Sequence, residues 1–178
     1  MLKAPQNDRL PVFLLFLTLT LLTMFALNVT GRSLITEAAP AGIISYEFAG
    51  DVTTASAIIQ SWDATAQIFA GFNLGLDYLY LVLYATTIAM AILWLSDGLT
   101  KSRLIAVVAL ALAWGQWLAA GLDAIENLAL LVMLVEQPAE PWPQIAWWGA
   151  VIKFSLVIAG LIYAVAAFVA RIVARAKR

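Results

Sequence analysis

Four long apolar stretches organise the chain, at residues 10–28, 70–95, 104–134 and 145–170. Each is long enough to cross a bilayer, since about 20 helical residues cover a hydrocarbon core of about 30 Å. The pattern predicts an all-α polytopic membrane protein, a four-transmembrane-helix bundle forming a single integral membrane domain over residues 1–178. Lys3 and Arg9 precede the first stretch as they would in a signal peptide. Its apolar run exceeds the usual signal core, however, and no A-x-A site follows directly, so it reads as a retained anchor helix.

The connection at residues 29–69 is too long for a simple turn and is expected to carry structure of its own. Residues 42–50 contain Ile43, Ile44, Tyr46 and Phe48 and read as an extended segment. Beyond them, Ala55, Ile58, Ile59, Trp62, Ala66 and Phe69 recur at helical spacing among polar neighbours, the pattern of an outer amphipathic helix between spans one and two. Asp51 or Thr53 would cap it. Such a helix lies flat on the outer interface, covers the bundle or acts as a gating lid.

Composition agrees with this reading: 63% of residues are hydrophobic and 12% charged, against roughly half and a quarter in soluble domains. The chain has no Cys and no His. That removes disulfides, thiolate chemistry, histidine relays and the usual ligands of zinc, copper, haem and iron–sulfur clusters, so no cofactor is expected beyond bound lipid. A formal net charge of −1 gives no concentrated basic surface for nucleic acid. The charges are nonetheless unevenly placed. Lys3, Arg9, Lys101, Arg103, Arg171, Arg175, Lys177 and Arg178 fall on one side of a four-span layout, with only Arg32 opposite. Basic residues are retained in the cytoplasm, which predicts cytoplasmic termini and an acidic outer face bearing Glu37, Glu47, Asp51, Asp63, Glu136 and Glu140.

The candidate chemistry lies inside the spans, where ionisable groups are costly and normally face a bundle interior. In the second span Asn73, Asp77, Tyr80 and Tyr84 are separated by four, three and four residues and share one helical face. In the third, Gln116, Asp123 and Asn127 do the same, with Glu126 beside Asp123 at i,i+3. In the fourth, Lys153 shares its side with Gly149 and Gly160, small residues that allow close helix approach. A rise of about 1.5 Å per residue puts Asp77 roughly 10 Å deep, Glu126 and Lys153 roughly 12 Å, and Asp123 roughly 16 Å from the outer ends. Such matching depths predict one site in the outer-leaflet half, with spans two to four forming its polar core and span one peripheral.

The segments Ser45-Tyr46-Glu47-Phe48-Ala49-Gly50, Leu74-Gly75-Leu76-Asp77-Tyr78-Leu79 and Leu122-Asp123-Ala124-Ile125-Glu126-Asn127 resemble those of an uncharacterised group of bacterial four-span integral membrane proteins. The resemblance implies a bacterial inner (plasma) membrane and supplies no activity. The span layout is also similar, in architecture alone, to the EXPERA group of sterol isomerases and lipid-binding membrane proteins. Two functional readings stay open. In one, a multi-pass bundle binds or moves a lipophilic or protonatable small molecule. Asp77, Asp123 and Glu126 accept protons, Lys153 is the counter-ion, and Asn73, Tyr80, Tyr84, Gln116 and Asn127 orient the ligand. In the other, the chain is an accessory or assembly subunit of a larger membrane complex, and the buried charges only fix helix register. Catalysis is a weaker branch of the first, since no nucleophile–base or metal set is visible.

Overall fold

A computed structural model describes residues 9–97 and 103–176. Lys3, Lys101, Lys177 and Arg178, four of the basic residues behind the expected orientation, lie outside the described residues. The described chain is helical: α1 (Arg9–Thr30), a 3-10 turn (Gly31–Leu34), α2 (Ile43–Glu47), α3 (Val52–Ser61), α4 (Ala64–Ser96), α5 (Arg103–Glu136) and α6 (Trp142–Ala176). The helices α1, α4, α5 and α6 are long and apolar enough to cross a membrane. Each of the four begins or ends a few residues beyond the apolar stretch expected for it, because polar termini extend the helix past its apolar body.

Side-chain bonds fix the antiparallel arrangement. Arg9 meets Asp97 at 3.1 Å, Thr20 Oγ1 and Thr87 Oγ1 lie 2.9 Å apart, and Asn73 Nδ2 donates to Thr30 Oγ1, so α1 and α4 run in opposite directions. The α5 helix packs along both α4 and α6, whereas α1 packs chiefly on α4. Only Thr20 and Thr23 of α1 are buried, which makes it the peripheral helix. At the end bearing Arg9, Arg171 donates to Trp94 O at 2.7 Å.

The connection between α1 and α4 departs from expectation in two places. Residues 43–47 are helical, not extended, because tertiary contacts override the local preference of Ile and Tyr. Gly42 (φ +60°) and Gly50 (φ +73°) supply left-handed turns at either side that side-chain-bearing residues rarely adopt. Between them Tyr46 is fully buried, with its hydroxyl donating to Leu130 O at 3.0 Å, and Phe48 stacks on Phe154 of α6 at 5.8 Å. The single amphipathic helix expected further on is two helices. Asp51 caps α3 by accepting the Thr54 N–H at 2.8 Å, and Asp63 caps α4 by accepting that of Ala66 at 2.8 Å. Trp62, extended between them, donates its indole N–H to Leu34 O at 2.9 Å. Ala66 and Phe69 consequently belong to α4.

Two apolar clusters fill the interior. One, around Tyr46, Trp62, Leu74, Leu130 and Met133, joins the α2–α3 connection to the helices. The other, around Tyr84, Ile88, Ile92, Ala109 and Ala113, fills the half nearer the Arg9 end. The polar residues lie in the layer between them.

Candidate functional site

Lys153 of α6 is the centre of that layer. The residue is 6% exposed, and Nζ lies 2.7 Å from Asp123 Oδ1, 2.9 Å from Glu126 Oε1 and 3.5 Å from Glu47 Oε2. The approach of α5 to α6 that permits this depends on glycines. A Cβ at Gly149 would lie 3.1 Å from Glu126 Cβ and 3.4 Å from Leu122 O, and one at Gly160 would collide with the amide of Gln116. An ammonium buried this completely must be paired, and three carboxylates from two other elements pair it.

Glu47 is the member that sequence reasoning missed. As a residue of the first outer connection it is expected on the acidic outer face, yet it is 8% exposed and reaches Lys153. The signal was present: a lone carboxylate within Ile43-Ile44-Ser45-Tyr46-Glu47-Phe48-Ala49, bounded by two glycines, sits in an apolar run that should be buried. Burial pushes the Glu47 carboxyl above its ordinary range; Lys153 opposes this shift and Asp123 reinforces it. Its Oε2 and Glu126 Oε2 are both buried without a hydrogen-bond partner, on two carboxyl groups that both meet Lys153. A proton on Glu47 lowers the cost of burying this corner of the cluster, in keeping with the upward shift of its carboxyl.

The remaining expected residues divide by the side on which they lie. Asn73, Asp77, Tyr80 and Tyr84 all line one cavity, as their common helical face predicts. Asp77 Oδ2 accepts the Asn127 amide at 2.7 Å, Tyr84 donates to Asp123 Oδ2 at 3.1 Å, and Asn73 donates to Leu27 O at 3.1 Å and to Thr30. Asp123, Asn127, Lys153 and Glu47 complete the polar wall. Gln116 and Glu126 are placed elsewhere. Gln116 is fully buried and clamps α5 to α6 by donating to Leu156 O at 3.0 Å; Glu126, also fully buried, lies behind Lys153 against Gly149. Neither lines the cavity. Trp114 and Trp117 face outward from α5.

The cavity measures about 680 Å³, within the range of sites for small organic ligands, roughly 300–1,000 Å³. It lies between α1 and α6, which do not pack closely on one another, with Met24 on one side and Val157 and Leu161 on the other. Met24 and Leu161 are 40% and 46% exposed, so this side of the cavity is open laterally. Ile43 and Ile44 of α2 cover its end near Arg32. The arrangement offers an apolar slot with a charged, hydrogen-bonding floor. Among the described residues no carboxylate group is arranged to hold a metal ion, and the ammonium of Lys153 occupies the point on which Glu47, Asp123 and Glu126 converge.

No family model, curated protein or solved structure matches this chain.

Proposed function

We propose that the protein is a multi-pass protein of the bacterial inner membrane that binds or moves an amphiphilic small molecule, taken sideways from the lipid into the cavity between α1 and α6. The observation that carries the reading is the cavity itself: about 680 Å³, open between two apolar helices and floored by buried charges. Membrane insertion accounts for the outer surface, where Leu15, Phe25, Trp114, Ile162 and Val165 are exposed on the long helices. Both termini then face the cytoplasm by the basic bias, and α2 and α3 lie at the outer interface, where α2 covers the cavity. A purely structural charge cluster needs no open slot beside it, and the polar face of α4 is turned into the slot.

Native mass spectrometry of protein extracted in a mild detergent tests this, with Leu161→Trp as the filled-cavity control. Wild type should retain a small-molecule or lipid adduct that Leu161→Trp loses. A wild-type protein that carries no adduct, or an adduct indifferent to Leu161→Trp, sinks the proposal. The outward rings of Trp114 and Trp117 favour the second reading, an accessory or assembly subunit docking through α5. Co-purification of a stoichiometric protein partner without an adduct is the result that supports it.

A further inference from the structure

Asp77 differs from every other carboxylate in the polar layer. Asp123, Glu126 and Glu47 all surround Lys153, whereas Asp77 has no ion pair among the described residues. Its Oδ2 takes one neutral amide N–H, from Asn127 at 2.7 Å, and a carboxylate offers about four acceptor sites. Asp77 is only half-buried because the cavity reaches it. Lys153 is already held by three carboxylates, and Arg32, the other cation that lines the cavity, makes no ion pair with Asp77.

Charge counting points the same way. Glu47, Asp77, Asp123 and Glu126 against Lys153 and Arg32 give four formal negative charges and two positive, an excess of two. A proton on Glu47 lowers that excess to one and leaves Asp77 untouched. An uncompensated charge at the wall of a low-dielectric cavity is costly, and a cationic guest removes the cost. Along the same face of α4, one and two turns beyond Asp77, the rings of Tyr80 and Tyr84 also line the cavity, with centroids 5.4 Å apart. Aromatic rings beside a carboxylate favour an organic cation over a metal ion. The cavity then runs on between apolar Met24, Val157 and Leu161.

We propose that the ligand is an amphiphilic ammonium ion, its charged nitrogen at Asp77 beside Tyr80 and Tyr84 and its apolar body in the slot between α1 and α6. This rests on the reading of the cavity as a lipid-accessible site and adds the chemical class of its occupant. The ammonium has two possible sources, a membrane-soluble amine or the headgroup of an aminophospholipid.

Three probes with one apolar chain separate charge from greasiness: dodecylammonium, dodecanol and dodecanoate, titrated against the purified full-length protein in an uncharged maltoside detergent, with affinities read by native mass spectrometry. Dodecylammonium should bind at least about tenfold more tightly than dodecanol, the factor expected for a hydrogen bond to a charged group, and dodecanoate should bind most weakly. Asp77→Asn keeps the shape and the contact to Asn127; it should erase the ammonium preference, bringing dodecylammonium down to the affinity of dodecanol. Asp77→Glu should restore the preference. Phosphatidylethanolamine titrated in a fourth arm identifies the source: binding that depends on Asp77 assigns the lipid headgroup, and indifference to Asp77 assigns the free amine. Equal binding of the three probes to wild type, or an ammonium preference that survives Asp77→Asn, overturns the ammonium proposal and leaves the cavity reading standing. Failure of all three to bind wild type removes both.

Discussion

Replacing Lys153 by Met leaves Asp123, Glu126 and Glu47 facing one another around an apolar side chain. In the wild type their oxygens stand 2.7, 2.9 and 3.5 Å from Nζ, and Lys153 and Glu126 are 6% and 0% exposed, so solvent cannot screen what the ammonium neutralised. Breaking a buried ion pair by removing one partner typically costs about 3 to 5 kcal/mol. At about 2 to 4 °C per kcal/mol for a chain of this size, Lys153→Met should lower the thermal midpoint by about 6 to 20 °C. Removing Glu126 as well does not suffice, because Asp123 is held at least as closely as Glu126 and stays unpaired. Lys153→Met with Asp123→Asn and Glu126→Gln removes one positive and two negative charges, leaves Glu47 to keep its proton, and should regain most of the loss. The assay is tryptophan fluorescence during heating in detergent, for wild type, the single variant and the triple variant. A single variant within about 2 °C of wild type, or a triple variant no better than the single, refutes the view that Lys153 neutralises a buried carboxylate cage.

Gly149→Ala should destabilise by about 1 to 3 kcal/mol, since its Cβ meets Glu126 Cβ and the Leu122 carbonyl; an unchanged thermal midpoint would show that α5 and α6 can separate freely. Tyr46→Phe removes the buried hydroxyl bond to Leu130 O and should cost about 0.5 to 1.5 kcal/mol, measured the same way, with no loss meaning that α2 is held by Phe48 and Trp62 alone. Glu47 gives a signed pH effect. With its folded value raised above the ordinary 4.5 by burial, the folded state binds the proton more tightly, so this residue's contribution is full below that value and is lost as pH rises through the raised one. Glu47→Gln should therefore flatten the fall of thermal midpoint with pH; identical profiles for variant and wild type would contradict it. For topology, Gln60→Cys and Gln137→Cys, both at exposed positions, should react with an impermeant maleimide outside intact cells while Ser102→Cys does not. The reverse pattern would invert the orientation.

Periodicity was the reliable guide, because a helix converts spacing into direction. The four-three-four spacing of Asn73, Asp77, Tyr80 and Tyr84 puts all four into one cavity, and Gly149 and Gly160 stand where α5 comes closest. The depth match of Asp123, Glu126 and Lys153 became direct contacts. Spacing says which face a residue shares, not what fills the space before it. Gln116 is on the expected side of α5 and still lies outside the cavity, because Gly160 lets α6 close over it; Glu126 is shut off in the same way by Gly149. The connection was the hardest part to read. Its short helix is held by Tyr46, Phe48 and Trp62 against distant partners, and depth counted along the spans assigns none to a loop residue such as Glu47.

Photochemical capture inside living cells tests the lateral binding slot most directly. Met24→p-benzoylphenylalanine places a crosslinker at the cavity between α1 and α6, and the same substitution at Trp114 places one on the outward face of α5. After irradiation, mass analysis of the purified protein should show an amphiphile attached at position 24 that is lost when Leu161→Trp fills the slot, whereas any adduct at position 114 is indifferent to Leu161→Trp. An amphiphile at position 24 that Leu161→Trp leaves unchanged, or a protein subunit captured there, would contradict a small-molecule site between α1 and α6.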